Sequence, residues 1–160
     1  MLGGRRRGGA LRDFRVSELN EQMGHMPETV RRRCLHVIEE GRRVGEMVKA
    51  LTRGDVFAAG KLLNRSHHSL RDQYEVSCPE MDWLVKHASE VEGVYGSRLA
   101  SGGFGGSTVT LLERESLETY DEVLSRYHRI FGFRTETFLA SPTSGAHVHW
   151  RENAHTADQR

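Results

Sequence analysis

The chain has 160 residues, of which 37% are hydrophobic and 28% charged, with a formal net charge of +1. That is enough for one domain with its own core, and it leaves no global field to draw the protein to nucleic acid or an anionic membrane. No apolar run approaches the ~18 residues of a membrane helix, and glycine and further charge follow Arg5–Arg7 where a signal peptide would place its apolar stretch.

The two cysteines, Cys34 and Cys78, form no C-x-x-C pair and no disulfide framework. This suits a reducing compartment, so a cytoplasmic protein is expected. Lysine supplies only three of the 23 basic residues, Lys49, Lys61 and Lys86. The runs Arg5–Arg7 and Arg31–Arg33 have acidic residues close by and read as solvated faces. Neither His67–His68 nor His147-x-His149 has the i, i+4 spacing of a helical zinc pair, and no metal site is expected.

Residues 1–25 are rich in Gly and Arg without clear periodicity, which predicts a poorly ordered leader. From Pro27 the apolar residues Val30, Cys34, Leu35, Ile38, Val44, Met47, Val48 and Leu51 recur at helical spacing, with Gly54 as the stop. Asp55 is an N-cap for a second helix carrying Val56, Phe57, Leu62 and Leu63, so 27–68 reads as a helical hairpin. Pro79 opens a third helix with Met81, Leu84, Val85 and Ala88 inward, closed near Gly93. The period then changes to two. "GVYGSRLA" (93–100) and "STVTLLE" (107–113) predict strands on either side of a glycine-rich loop. Ser116 begins another helix, ending near Gly132, and "RTETFLA" (134–140) predicts a final strand. The polar stretch 149–160 reads as a disordered tail.

From Pro79 the order is helix, strand, strand, helix, strand. The predicted fold class is therefore α+β, a ferredoxin-like β-α-β-β-α-β pattern lacking its first strand and preceded by the helical hairpin. The domain is expected over 26–148, with its α/β part at 79–141.

The loop Gly102-Gly103-Phe104-Gly105-Gly106 is the candidate site. Glycines let backbone N–H groups approach an anion without a Cβ in the way, and a tight structural hairpin would use the same residues. No Gly-Lys-Ser/Thr follows, and the loop leads into a strand, so neither a Walker A loop nor a dinucleotide fingerprint is present. The surroundings add a second signal. "SHHSLRDQYEVSCPEMDWLV" (66–85) followed by "GVYGSRLASGGFGGSTVTLLE" (93–113) resembles the galactokinases of the GHMP small-molecule kinase family. The first stretch is similar to their Ser-Leu-Arg-Asp…Tyr-Glu-Val-Ser-Cys-Pro-Glu block and the second to their third conserved motif, with the resemblance covering about 10–148.

The resemblance implies ATP-dependent phosphorylation of the anomeric hydroxyl of galactose, with ATP and Mg2+ as cofactors of the intact enzyme and none bound tightly by this chain alone. It implies that Gly102, Gly103, Phe104, Gly105 and Gly106 form a cofactor-facing wall near the nucleotide phosphates, where positioned donors stabilise transferring charge. Phe104 is expected to anchor the loop in the core, and Arg98 to be a surface or ion-pair residue, with approach to phosphate as the alternative. Ser101 stands where the motif has its first glycine, and Ser107 where it has cysteine. The family's sugar motif, its Ser-rich phosphate loop and its catalytic Asp segment do not occur in these 160 residues. Asp72, Glu75, Glu80 and Asp82 are not expected to replace that base; Asp72 and Glu75 follow Arg71 and should pair locally. The resemblance thus predicts the C-terminal part of such a kinase, inactive alone. Its partners would be galactose, ATP and a complementary N-terminal fragment. A non-catalytic binding or regulatory module and a kinase for a related sugar are the alternatives. A sheet lacking its first strand should also present an unpaired edge and exposed apolar surface.

Overall fold

The computed structural model describes residues 9–100, 102–141 and 148. The elements in chain order are α1 (Val16–Asn20), α2 (Glu28–Thr52), α3 (Val56–Ser69), α4 (Pro79–Ala88), β1 (Val94–Leu99), β2 (Thr108–Leu112) and α5 (Leu117–Phe131). Single 3-10 turns lie at Leu11–Asp13, Met23–His25 and Arg114–Ser116, and α3 runs on into a π-helical turn at Leu70–Tyr74.

The described part of the expected leader is folded. The Asp13 and Glu18 carboxylates accept hydrogen bonds from the backbone N–H groups of Ala10 and Arg15 at 2.8 Å, which start the two first turns. Phe14 and Leu19 are then buried with Ile38 of α2. Apolar residues spaced through an Arg- and Gly-rich segment were enough to dock it, although they show no long period. Residues 1–8 lie outside the described residues, as does the tail from 149 onward.

The helical hairpin forms as its caps predict. Asp55 accepts from the Ala58 N–H at 2.9 Å to open α3, directly after α2 ends. The expected single apolar stripe on α2 is instead spread over three faces. Cys34, Leu35 and Ile38 pack on the N-terminal turns, while Met47 and Ala50 pack against α3 through Ala59 and Leu62. Val30, Val44, Val48 and Leu51 remain exposed. At about 100° per residue, 44, 48 and 51 fall on a face of their own.

α4 starts with Pro79 at its first position and buries Met81, Leu84, Val85 and Ala88, as predicted. Met81 and Leu84 join Leu70, Leu99 and Tyr127 in the largest core cluster, so α4 and α5 pack together beside the end of β1. β1 and β2 form an antiparallel hairpin in the register Arg98↔Val109, with an irregularity between Val94 and Gly96. Gly60 of α3 lies so close to the strand that a Cβ there would stand 2.0 Å from the Tyr95 carbonyl oxygen. α3 also answers the outer edge of β1: Asn64 Oδ1 accepts from the Ser97 N–H at 2.9 Å and His67 Nδ1 from the Leu99 N–H at 3.4 Å.

The predicted strand at 134–140 does not form, and among the described residues the sheet has two strands. A short apolar alternation needs a partner edge to become a strand, and this segment pairs with neither β1 nor β2. Phe138 is 85% exposed there.

Candidate functional site

The glycine loop spans the β1–β2 hairpin. Ala100 N–H donates to the Ser107 carbonyl at 2.9 Å and closes the ladder below it. Four successive residues then take positive φ: Gly103 at 104°, Phe104 at 58°, Gly105 at 126° and Gly106 at 100°. Three of these are glycines, which enter that region without a Cβ penalty. Phe104 is the strained member, and it is held by a hydrogen bond from its N–H to the Val76 carbonyl at 2.7 Å.

Val76 explains why Gly103 must be glycine. A Cβ at that position would stand 2.6 Å from the Val76 Cβ and 2.7 Å from its carbonyl oxygen. Around Gly102 and Gly105 no heavy atom lies within 4 Å of where a Cβ would stand. The loop therefore has a pinned half, Gly103–Phe104, and an open half beyond it. The Phe104 ring does not enter the core, as its place in the motif led one to expect. It is 78% exposed, because the loop is anchored by backbone to Val76 and leaves the side chain directed away. Ser101 lies outside the described residues.

The segment behind the loop was read in the sequence only as a motif. Leu70 carbonyl accepts from the N–H groups of both Glu75 and Val76, and Glu75 sits in the left-handed region at φ 57°. Glu75 does not pair locally as predicted. It takes Arg32 Nη1 at 2.5 Å and Arg33 Nη2 on its other oxygen, both from α2. These guanidiniums, Arg33 foremost, hold its carboxyl below the usual range. Asp72 does pair with Arg71, at 2.7 Å, and that contact lowers its pKa. The Arg31–Arg33 run, which reads in sequence as a solvated face, is divided between Glu28 and this turn.

Other polar groups fix the same region. His36 Nδ1 lies 2.8 Å from Ser69 Oγ, and its ring stacks on Tyr74 at 4.6 Å. His67 Nε2 is 3.2 Å from Asp82 Oδ1, which also accepts from Ser77 Oγ at 2.6 Å. Burial lowers the pKa of both imidazoles. With Nδ1 accepting from Leu99, His67 carries its proton on Nε2, facing Asp82. Arg98 turns its Nε onto the Leu99 carbonyl at 2.6 Å, with Glu40 4.0 Å from its Nη1. Asp82 thus accepts from Ser77 and faces His67, and Asp72 and Glu75 are held in ion pairs. Among the described residues no group of three or more His, Cys, Asp or Glu side chains is placed to hold a metal ion. His147 and His149 lie outside the described residues.

Residues 47–129, more than half of the chain, match the family described as "GHMP kinases C terminal". The chain is 42% identical over 137 residues to the galactokinase of Roseiflexus sp. (strain RS-1), covering 85% of this chain and 35% of that protein. It is 44% identical over 140 residues to the galactokinase of Bos taurus, covering 87% of this chain and 35% of that one. The crystal structure of Lactococcus lactis galactokinase complexed with galactose matches with a TM-score of 0.77 at 30% identity, covering 83% of this chain and 35% of that chain. The chain thus spans about a third of the length of these relatives. It belongs to the GHMP kinases and carries the domain described as their C-terminal one.

Proposed function

We propose that this chain is the C-terminal part of a galactokinase, the enzyme that transfers the ATP γ-phosphoryl group to the anomeric hydroxyl of galactose. The observation that carries the reading is sequence identity of 42–44% to galactokinases across most of the chain, joined to a glycine loop pinned on one side and open on the other. In this reading Gly102, Gly103, Phe104, Gly105 and Gly106 form one wall beside the nucleotide phosphates. Gly103 and Phe104 fix the wall to Val76, and the open half lets backbone approach the phosphate oxygens. The sugar-binding groups, the base, the Ser-rich loop and the Mg2+ ligands belong to the remaining two-thirds of the enzyme. Phosphoryl transfer depends on these parts sharing one cleft, so the chain alone has no turnover. The half-buried, unbridged Cys34 and Cys78 support a cytoplasmic location, and among the described residues no helix is long and apolar enough to cross a membrane.

The test is a chimaera in which residues 9–141 replace the matching segment of the Bos taurus galactokinase. The reading predicts retained turnover of galactose with ATP, and a loss of about tenfold or more on Gly105→Val. A folded chimaera that turns over equally well with Gly105→Val would remove the loop from the site, and a folded chimaera without turnover would remove the galactokinase reading.

A further inference from the structure

We propose that Glu75, gripped by Arg32 and Arg33 of α2, is the positioning residue of the glycine loop, so that the helical hairpin sets where the loop stands. The assignment of the loop itself to a phosphate-facing wall rests on the function proposed above. The mechanical link stands independently of it.

Three contacts in series carry the link. The first is between α2 and the turn after α3. Arg32 Nη1 donates to the Asp72 carbonyl at 3.0 Å and Arg33 Nη1 to the Gln73 carbonyl at 2.5 Å. These are carbonyls at the C-terminal end of the π-helical turn, where the helix itself supplies no donor and where positive charge meets the negative end of the helix dipole. Both guanidiniums then close on the Glu75 carboxylate, one on each oxygen. Arg33 uses both prongs of its planar fork, Nη1 on the Gln73 carbonyl and Nη2 on Glu75, which lysine could not reproduce, while Arg32 reaches the Asp72 carbonyl and Glu75 through Nη1.

The second contact is conformational. Glu75 occupies the left-handed region at φ 57°, which a glutamate reaches only at a cost. Glycine is the residue that ordinarily ends a helix in this way. Here the two arginines compensate for its absence, and the reversal at Glu75 turns the chain so that Val76 leaves in a fixed direction.

The third contact passes that direction to the loop. The Val76 carbonyl receives the Phe104 N–H, and the Val76 side chain lies against Gly103. A movement of Glu75 carries Val76 with it, and with Val76 the carbonyl that holds the Phe104 N–H. Displacing a positioned group by about 1 Å is enough to cost a large factor in rate. A partly exposed ion pair with no local reason to exist thereby acquires one.

The test uses the full chain and reads amide hydrogen exchange residue by residue in the parent, Glu75→Gln and the double variant Arg32→Ala/Arg33→Ala. The link predicts that the Phe104 amide exchanges about tenfold faster in both variants, while Arg98 and Ala100 in the hairpin ladder stay within about twofold of the parent. A merely stabilising ion pair would accelerate all amides together, through global unfolding, and would lower the melting temperature without a separate signature at Phe104. Unchanged protection of Phe104, or uniform acceleration, overturns the proposal. If either variant fails to fold, Arg32→Lys/Arg33→Lys keeps the charge and removes the fork, and the same selective loss at Phe104 is expected. The exchange experiment needs no nucleotide, so its failure leaves the chimaera result standing, and a failed chimaera leaves this link standing.

Discussion

His36 and His67 are buried imidazoles that accept or share hydrogen bonds in their neutral form. Burial is the main cause of their lowered pKa. Glu40 opposes it at His36, where Arg43 and Arg98 reinforce it. Asp82 opposes it at His67, where His68 and Arg71 reinforce it. A folded-state pKa below the unfolded one means that the unfolded chain takes up protons first as the pH falls through about 6.5. The stability from neutral burial is then complete above that pH and lost on acidification through it toward the folded-state value. The carboxylates lowered by ion pairing, Asp72 and Glu75, titrate in a separate, more acid window. We therefore expect the melting temperature to fall between about pH 7.5 and about pH 5.5, and to fall less in His67→Gln, whose amide can still accept from Leu99 and does not titrate. A melting temperature independent of pH across that window would contradict this account of the two histidines. Their role was not legible in the sequence. His67 next to His68 pointed only to a structural or surface role without a partner, because burial beside β1 depends on a strand far along the chain.

At the scale of elements, α3 and β1 are joined more closely than side chains allow. The Gly60 and Gly96 backbones meet: a Cβ on Gly60 would stand 2.0 Å from the Tyr95 oxygen, and one on Gly96 would stand 2.1 Å from the Gly60 oxygen. Neither obstacle is a flexible side-chain end. Gly60→Ala should therefore destabilise the chain by about 3 kcal/mol or more, measured by denaturant unfolding. A change under about 1 kcal/mol would mean that α3 can lift from the strand at little cost. The same helix meets two outward N–H groups of β1, those of Ser97 and Leu99, with Asn64 and His67, a device that covers an edge without another strand. Local chemistry made most elements readable in advance. Asp55 capped α3, Pro79 opened α4, and alternation marked β1 and β2. What failed depended on distant partners. "RTETFLA" alternates like a strand but pairs with neither β1 nor β2. The α2 apolar residues looked like one stripe because a count of spacings does not tell three faces from one. The glycine loop was legible as a loop, but its anchor was not: Glu75 and Val76 gain their meaning only from Arg32, Arg33 and Phe104, each about thirty or forty residues distant.

Taken whole, the described chain has surfaces that suit a part of a larger enzyme. Val44, Val48 and Leu51 expose an apolar face on α2, and β2 has no strand beside its outer edge among the described residues. The sequence led one to expect both an open edge and exposed apolar surface. The structure places the covered edge at β1 and the uncovered one at β2. The chain spans about a third of its galactokinase relatives, and its carboxylates nearest the glycine loop's anchor are committed to ion pairs. The central claim is that this chain supplies one wall of a galactokinase site and needs the other walls to work. Its most direct test is a coupled assay of ADP release from Mg-ATP and galactose. The purified chain is assayed alone, and again after co-folding with an N-terminal polypeptide comprising the rest of the Bos taurus galactokinase. The account predicts no galactose-dependent turnover from either piece alone and its appearance when the two are combined. Turnover by the 160-residue chain alone, or a stable complex of the two pieces with no turnover, would contradict it.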